Sequence, residues 1–170
     1  MLFYPKFYYK DVQSINLDEL YKLGMRGIIL DVDNTLIDYK RMMPNGIKDW
    51  VDYAKKKNFK VCILSNSNKK DKISKVANDL ELEYLMCAGK PAKKGYIKAL
   101  KLLEMKPDEC VAVGDQVFTD VIGANRMNIN SIYVEPINKK EYWYTKWKRP
   151  IESWILEGYK TKVGMKGSKK

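Results

Sequence analysis

Apolar positions recur along this chain in two alternating rhythms. Gly27-Ile28-Ile29-Leu30, Lys60 to Leu64, about Tyr84 to Cys87, Cys110 to Val113 and Ser131 to Val134 are short, nearly unbroken apolar runs, as in strands buried on both faces. Between them apolar residues return at helical spacing. A short helix is predicted over Leu17 to Leu23, capped by Asn16, with Asp18 and Glu19 in its first turn and Gly24 past its end. A second starts near Pro44 and runs to about Lys57, with Ile47, Trp50, Val51 and Ala54 on one face. The next, about Lys69 to Leu80, turns Ile73, Val76, Ala77 and Leu80 inward. Another, about Lys93 to Glu104, buries Ile97, Leu100 and Leu103, and a last one covers about Thr119 to Met127. Met1 to Asp11, aromatic and polar with a proline, reads as extended chain lying on the core.

Strands alternating with helices at this spacing predict an α/β fold, a parallel sheet with helices on both faces. Ligands in such sheets bind at the carboxyl ends of the strands. Every polar cluster of note lies at such an end: Asp31/Asp33/Thr35, Ser65/Asn66, Lys90 and Asp115/Asp120. Asp31-Val32-Asp33-Asn34-Thr35 alone fits two descriptions. Asp and Asn favour turns, yet two carboxylates at the end of a buried strand are costly without partners. Carboxylates, hydroxyl, amide and ammonium arriving from four loops at one rim favour a site over a set of unrelated turns.

Composition narrows the chemistry. A chain of 170 residues suits one domain with a real core. No apolar run approaches the ~20 residues of a membrane span, and the N-terminus lacks a signal-peptide pattern, so a soluble, cytoplasmic protein is expected. Histidine is absent, which excludes Ser-His-Asp and Cys-His nucleophile systems and most zinc enzymes. Cys62, Cys87 and Cys110 are far apart and strand-like in context, and are expected to be buried, reduced thiols. Lys93 stands where a tyrosine-phosphatase loop would need Arg after Cys87. The order G-x-x-x-x-G-K-[ST] is absent around Gly89-Lys90-Pro91, which excludes a nucleotide P-loop.

The remaining inventory suits phosphoryl transfer. Phosphate oxygens and carboxylates repel unless a cation lies between them, and Mg²⁺ works through one or two carboxylates plus phosphate oxygens. Asp31 and Asp115 are the natural pair, with Asp120 as a direct or indirect partner. Lys90 sets a positive charge against a phosphate oxygen or the nucleophile. Ser65 and the backbone N–H groups near Asn34 and Asn66 can donate to other phosphate oxygens. One carboxylate can attack phosphorus to give an aspartyl-phosphate, and the other, two residues on, can protonate the leaving alkoxide and later activate water.

In order and spacing the set resembles the haloacid dehalogenase-like superfamily. D-x-D-x-[TV] matches Asp31 to Thr35, the Ser/Thr ending the next strand matches Ser65, the Lys matches Lys90, and G-D-x-x-x-x-D matches Gly114-Asp115 and Asp120. The resemblance implies a three-layer Rossmann-like fold with Asp31 as nucleophile and Asp33 as general acid/base. It implies phosphate binding by Asn34, Thr35, Ser65, Asn66 and Lys90. Mg²⁺ would be held by Asp31, the Asp33 carbonyl and Asp115, with Asp120 in support. Asp rather than Thr at position 33 looks like the phosphatase branch. Receiver domains share the ingredients in another order. One loop and one helix join Thr35 to Ser65, and little more joins Ser65 to Lys90, so no cap domain is expected and bulky substrates can enter. Within the capless subfamily IIIA the chain is similar to the YqeG-type group and its eukaryotic relatives, the mitochondrial phosphatidylglycerophosphate phosphatases, over about Pro5 to Val134. A bulky substrate such as phosphatidylglycerophosphate is the expectation.

Charge separates the end of the chain from this core, residues 1–137. Net charge is +11, and residues 138–170 hold ten Lys/Arg against three Glu. Trp143, Trp147 and Trp154 lie among Lys139, Lys140, Lys146, Lys148 and Arg149, with Pro150 interrupting any long helix. Aromatics among cations suit an anionic phospholipid surface at the inner face of the membrane. They also suit nucleic acid, leaving a nucleic-acid 3′-phosphatase or a nucleic-acid-binding assembly factor as the other reading. A third description is a tail that only covers the sheet edge. Thr161 to Lys170 is expected to be disordered.

Overall fold

The computed structural model describes residues 2–138 and 149–167. Trp143, Trp147 and Lys139, Lys140, Lys146 and Lys148 lie outside the described residues. In chain order the elements are β1 (Phe7–Tyr9), α1 (Leu17–Lys22), β2 (Gly27–Leu30), α2 (Ile47–Lys56), β3 (Lys60–Leu64), α3 (Lys70–Leu80), β4 (Glu83–Leu85), α4 (Lys93–Leu103), β5 (Cys110–Gly114), α5 (Ile122–Asn125), β6 (Asn130–Val134) and α6 (Arg149–Gly167). The strands form one parallel sheet in the order β1-β6-β5-β2-β3-β4.

The central apolar runs, β2 and β5, are strands covered on both faces. Ile28, Leu30, Ile63, Val111 and Val113 point to one side, against α2 and α3 through Ile47, Trp50, Val51, Ala54, Ile73, Val76, Ala77 and Leu80. The residues between them, Ile29, Cys62, Leu64, Cys110 and Ala112, point to the other, against α4 and α5 through Tyr96, Ala99, Leu100, Leu103 and Ala124. That is the expected three-layer architecture. Segments 36–64 and 66–89 hold loops, α2, β3, α3 and β4 and no inserted domain. From β2 the chain steps outward through β3 and β4, then returns to build β5 and β6 on the other flank. The β2–β5 boundary is therefore the switch point at which parallel sheets open a crevice.

Several details differ from the sequence reading. Met1 to Asp11 is more than draped chain, since Phe7–Tyr9 pairs with Ile132–Val134 as an edge strand. Ile97 is 43% exposed, while Tyr96 is buried. The inward stripe of α4 is Tyr96, Ala99, Leu100 and Leu103, the i, i+3, i+4, i+7 set, and Ile97 falls outside it. Cys62 and Cys110 are buried thiols as expected, but Cys87 is exposed. The helix expected from Thr119 is preceded by a wider π-type turn, Val117–Val121, and α5 begins only at Ile122. Pro150 lies in the first turn of α6, where its missing N–H costs nothing, so it opens a helix instead of breaking one. That helix includes residues 161–167, for which sequence suggested disorder. Leu156 packs with Val117, Val121 and Tyr133, and the buried Glu152 accepts the Phe118 N–H at 3.1 Å.

Candidate active site

Register explains why distant residues meet. Leu30 is level with Val113 on one side and Ile63 on the other. Asp31, Ser65 and Asp115 therefore leave the sheet at nearly one height, each just past its strand. Gly114 ends β5, and a Cβ there would collide with the Asp120 carboxylate. Its lack of a side chain is what lets the turn fold Asp120 back over the strand end. The Gln116 N–H and Thr119 hydroxyl fix that pose, donating to Asp120 Oδ2 at 3.1 and 3.3 Å. Such π-type turns occur often at functional sites.

Lys90 is the hub. Its Nζ donates to Asp31 Oδ1 at 2.5 Å and to Asp120 Oδ1 at 2.7 Å, all three side chains being buried. Asn66 holds the Lys90 backbone by two bonds: its Oδ1 accepts the Lys90 N–H at 2.7 Å and its Nδ2 donates to the Lys90 carbonyl at 3.0 Å. Through these bonds the Asn66 side chain serves Lys90. Ser65 is buried beside it, its hydroxyl accepting the Ser67 N–H at 3.1 Å. Thr35 Oγ1 donates to Asp115 Oδ1 over a long 3.4 Å, tying the loop after β2 to the loop after β5. The Asn34 N–H is taken by the Ile37 carbonyl at 2.8 Å, while its side-chain Oδ1 is buried and has no hydrogen-bond partner among the described residues. Asp33 stands apart from the hub, half-exposed and clamped by Lys72.

Burial dominates the electrostatics. It pushes the Asp31 carboxyl up to about 7, against the opposing pull of Lys90 and with Asp120 and Asp33 adding to the rise. Burial pulls the Lys90 ammonium down, but Asp120 and Asp31 outweigh it and hold Lys90 above its ordinary range. Asp31, Asp115 and Asp120 each offer an oxygen, all within 4.8 Å of one another. Three buried carboxylates around one ammonium leave surplus negative charge, and an all-oxygen donor set suits a hard divalent cation. The residues fit a divalent cation.

Two neighbours carry no sequence signal of their own. Tyr96 buries its hydroxyl against the carbonyls of Thr119 and Asp120 at 3.3 and 3.2 Å, but reads in sequence as one more apolar position of a helix. Lys72 is one lysine in Lys69-Lys70-Asp71-Lys72, and only the fold singles it out.

Residues 41–128 match the family model described as haloacid dehalogenase-like hydrolase. That stretch holds Ser65, Lys90, Asp115 and Asp120 and begins after Asp31 to Thr35. Over 163 residues the chain is 32% identical to "Probable phosphatase YqeG" of Bacillus subtilis, covering 94% of this chain and 93% of that protein. It is 27% identical over 113 residues to a glyceraldehyde 3-phosphate phosphatase of Pyrococcus furiosus, covering 62% of this chain and 47% of that one. Among solved structures, an uncharacterized protein of Listeria monocytogenes superposes with a TM-score of 0.58 at 22% identity, over 69% of this chain and 84% of the other. That likeness concerns the fold.

Proposed function

This chain belongs to the haloacid dehalogenase-like hydrolases, and we propose that it is a Mg²⁺-dependent phosphomonoesterase that forms an aspartyl-phosphate on Asp31. The observation that carries the reading is the buried Asp31/Asp115/Asp120 cluster, two of whose members bind Lys90, at the carboxyl ends of β2 and β5. The relatives named as phosphatases support it.

Asp31, Asp115 and the Asp33 carbonyl would hold Mg²⁺, with Asp120 in support, and the ion would offset repulsion between the substrate phosphate and the carboxylates. Ser65, Thr35, Lys90 and amides of the loops at Asn34 and Asn66 orient the phosphate. An Asp31 oxygen forms the bond to phosphorus as the ester P–O bond breaks. The departing oxygen takes a proton from Asp33, and Asp33 then removes a proton from the water that splits the aspartyl-phosphate, freeing Asp31 and inorganic phosphate. Lys90 neutralises charge around the nucleophile throughout.

Asp31→Asn is expected to lower turnover of p-nitrophenyl phosphate more than about a thousandfold, with chelation by EDTA abolishing it and Mg²⁺ restoring it. Unchanged turnover in Asp31→Asn would overturn the mechanism.

For the substrate we favour a phosphate on a bulky body such as phosphatidylglycerophosphate. The absence of an inserted domain over the site supports this, as do the exposed Ile151 and Trp154 of α6 beside a cationic tail. Among the described residues no helix is long and apolar enough to cross a membrane, so contact with lipid would be peripheral. Sedimentation with anionic vesicles at low salt tests it, and absence of binding counts against it. The +11 charge also favours a second reading, a nucleic-acid 3′-phosphatase or a nucleic-acid-binding assembly factor with a secondary phosphatase site. A salt-sensitive RNA or DNA shift, lost on deleting residues 138–170, would support that reading.

A further inference from the structure

Lys72 lies in the first turn of α3, where a positive charge opposes the helix dipole. Local helix energetics give no reason for it. Its ammonium reaches across to the first catalytic loop and donates to both oxygens of Asp33, at 2.6 and 2.7 Å. The lysine side chain is only 10% exposed, while that of Asp33 is 45% exposed. The more buried partner thus holds the more exposed one. A half-exposed carboxylate with free rotamers would otherwise spread over several orientations, and an acid/base group must meet its proton partner at hydrogen-bond distance. Asp31 is fixed by Lys90 from the other side. The two carboxylates of the pentapeptide are therefore held by separate ammonium groups, one on helix α3 and one on the loop before α4.

We propose that Lys72 is a positioning residue that orients the Asp33 carboxylate at the mouth of the site. This rests on the reading of Asp33 as general acid/base. When the ester P–O bond breaks and the Asp31–phosphorus bond forms, the proton on Asp33 passes to the departing oxygen. The resulting carboxylate stays on Lys72, placed to accept a proton from water in the second step. The rival description is an ordinary half-exposed ion pair that adds little stability and nothing more.

Leaving-group dependence separates the two. An alkoxide needs the Asp33 proton and p-nitrophenolate does not, while kcat/KM reports the steps through the first phosphoryl transfer. Lys72→Met and Lys72→Gln are expected to lower kcat/KM for glycerol phosphate at least about tenfold more than for p-nitrophenyl phosphate, with Lys72→Arg recovering most of that gap. An equal change for both substrates, or none, in variants whose melting temperature matches the wild type would overturn the proposal. If Asp31→Asn turns over p-nitrophenyl phosphate as fast as the wild type, it is the aspartyl-phosphate reading that has failed and not the assignment of Lys72.

Discussion

At the scale of single residues, the site is a contest between burial and charge. Burial dominates at Asp31 and pushes its carboxyl up to about 7 from an ordinary 3.8. The sign of the consequence follows by linkage. A group whose pKa is higher folded than unfolded binds its proton more tightly in the fold, so its contribution to stability declines as pH rises between the two values and is flat above the folded one. At 1.36 kcal/mol per unit this could approach ~4 kcal/mol, an upper bound in a relaxing protein. A cation binding the ionised cluster competes with that proton. In EDTA the melting temperature should therefore carry a declining term from about pH 4 to about pH 7. The rise on adding Mg²⁺ should be larger at about pH 8 than at about pH 5, read by thermal melts across pH. An equal rise at both would contradict the coupling. Little of this was legible in sequence. Asp31, Ser65, Lys90, Asp115 and Asp120 could be named because strand ends and motif spacing are local. The clamp of Asn66 on Lys90, the engagement of the Asn34 N–H by Ile37 and the grip of Lys72 on Asp33 could not, because each joins backbone or side chains whose approach depends on the whole loop.

At the scale of elements, α4 shows how a helix can be found and its inward face still misjudged. Its existence follows from apolar spacing and its lack of Gly or Pro beyond Gly95. Its rotation depends on which stripe meets the sheet. Tyr96 lies against α5, where a Cβ on Gly123 would strike its ring, and sends its hydroxyl to the carbonyls behind Asp120. Tyr96→Ala should cost ~3–5 kcal/mol and loosen the turn that carries Asp120, while Ile97→Lys should stay within ~0.5 kcal/mol. Urea denaturation of the two variants checks this, and similar losses at both would mean the stripe is misassigned. The π-type turn before α5 escaped the sequence reading for a similar reason. Nothing local marks Val117–Val121 as wider than an α-turn; the demand comes from Asp120 having to reach Lys90 across the strand end.

At the scale of the whole molecule, the carboxylate-rich site belongs to a chain with an excess of cations. Net charge is +11, and Lys90 and Lys72 lie at the site itself. A dianionic phosphate should be drawn to such a protein, and the attraction is screened beyond about 8–10 Å at moderate salt. Expected, then, is a fall in kcat/KM for a small phosphate ester as ionic strength rises, with kcat far less affected. Salt-independent kcat/KM would show that the net charge has no part in substrate capture. The α6 helix, joined to the core through Glu152 and Leu156, links the cationic end of the chain to the turn that carries Asp120.

What sequence alone determined here is whatever local chemistry and periodicity encode. Apolar runs had to be strands of a parallel sheet, strand ends had to carry the polar residues, and the absence of histidine left oxygen ligands and lysine to do the work. Tertiary structure decided the rest, because contacts such as Lys72 to Asp33, Asn66 to Lys90 and Glu152 to Phe118 span 39, 24 and 34 residues. Energies of that kind depend on distance in space, and a lysine in a run of lysines looks the same in sequence whether it faces solvent or a carboxylate at the strand ends.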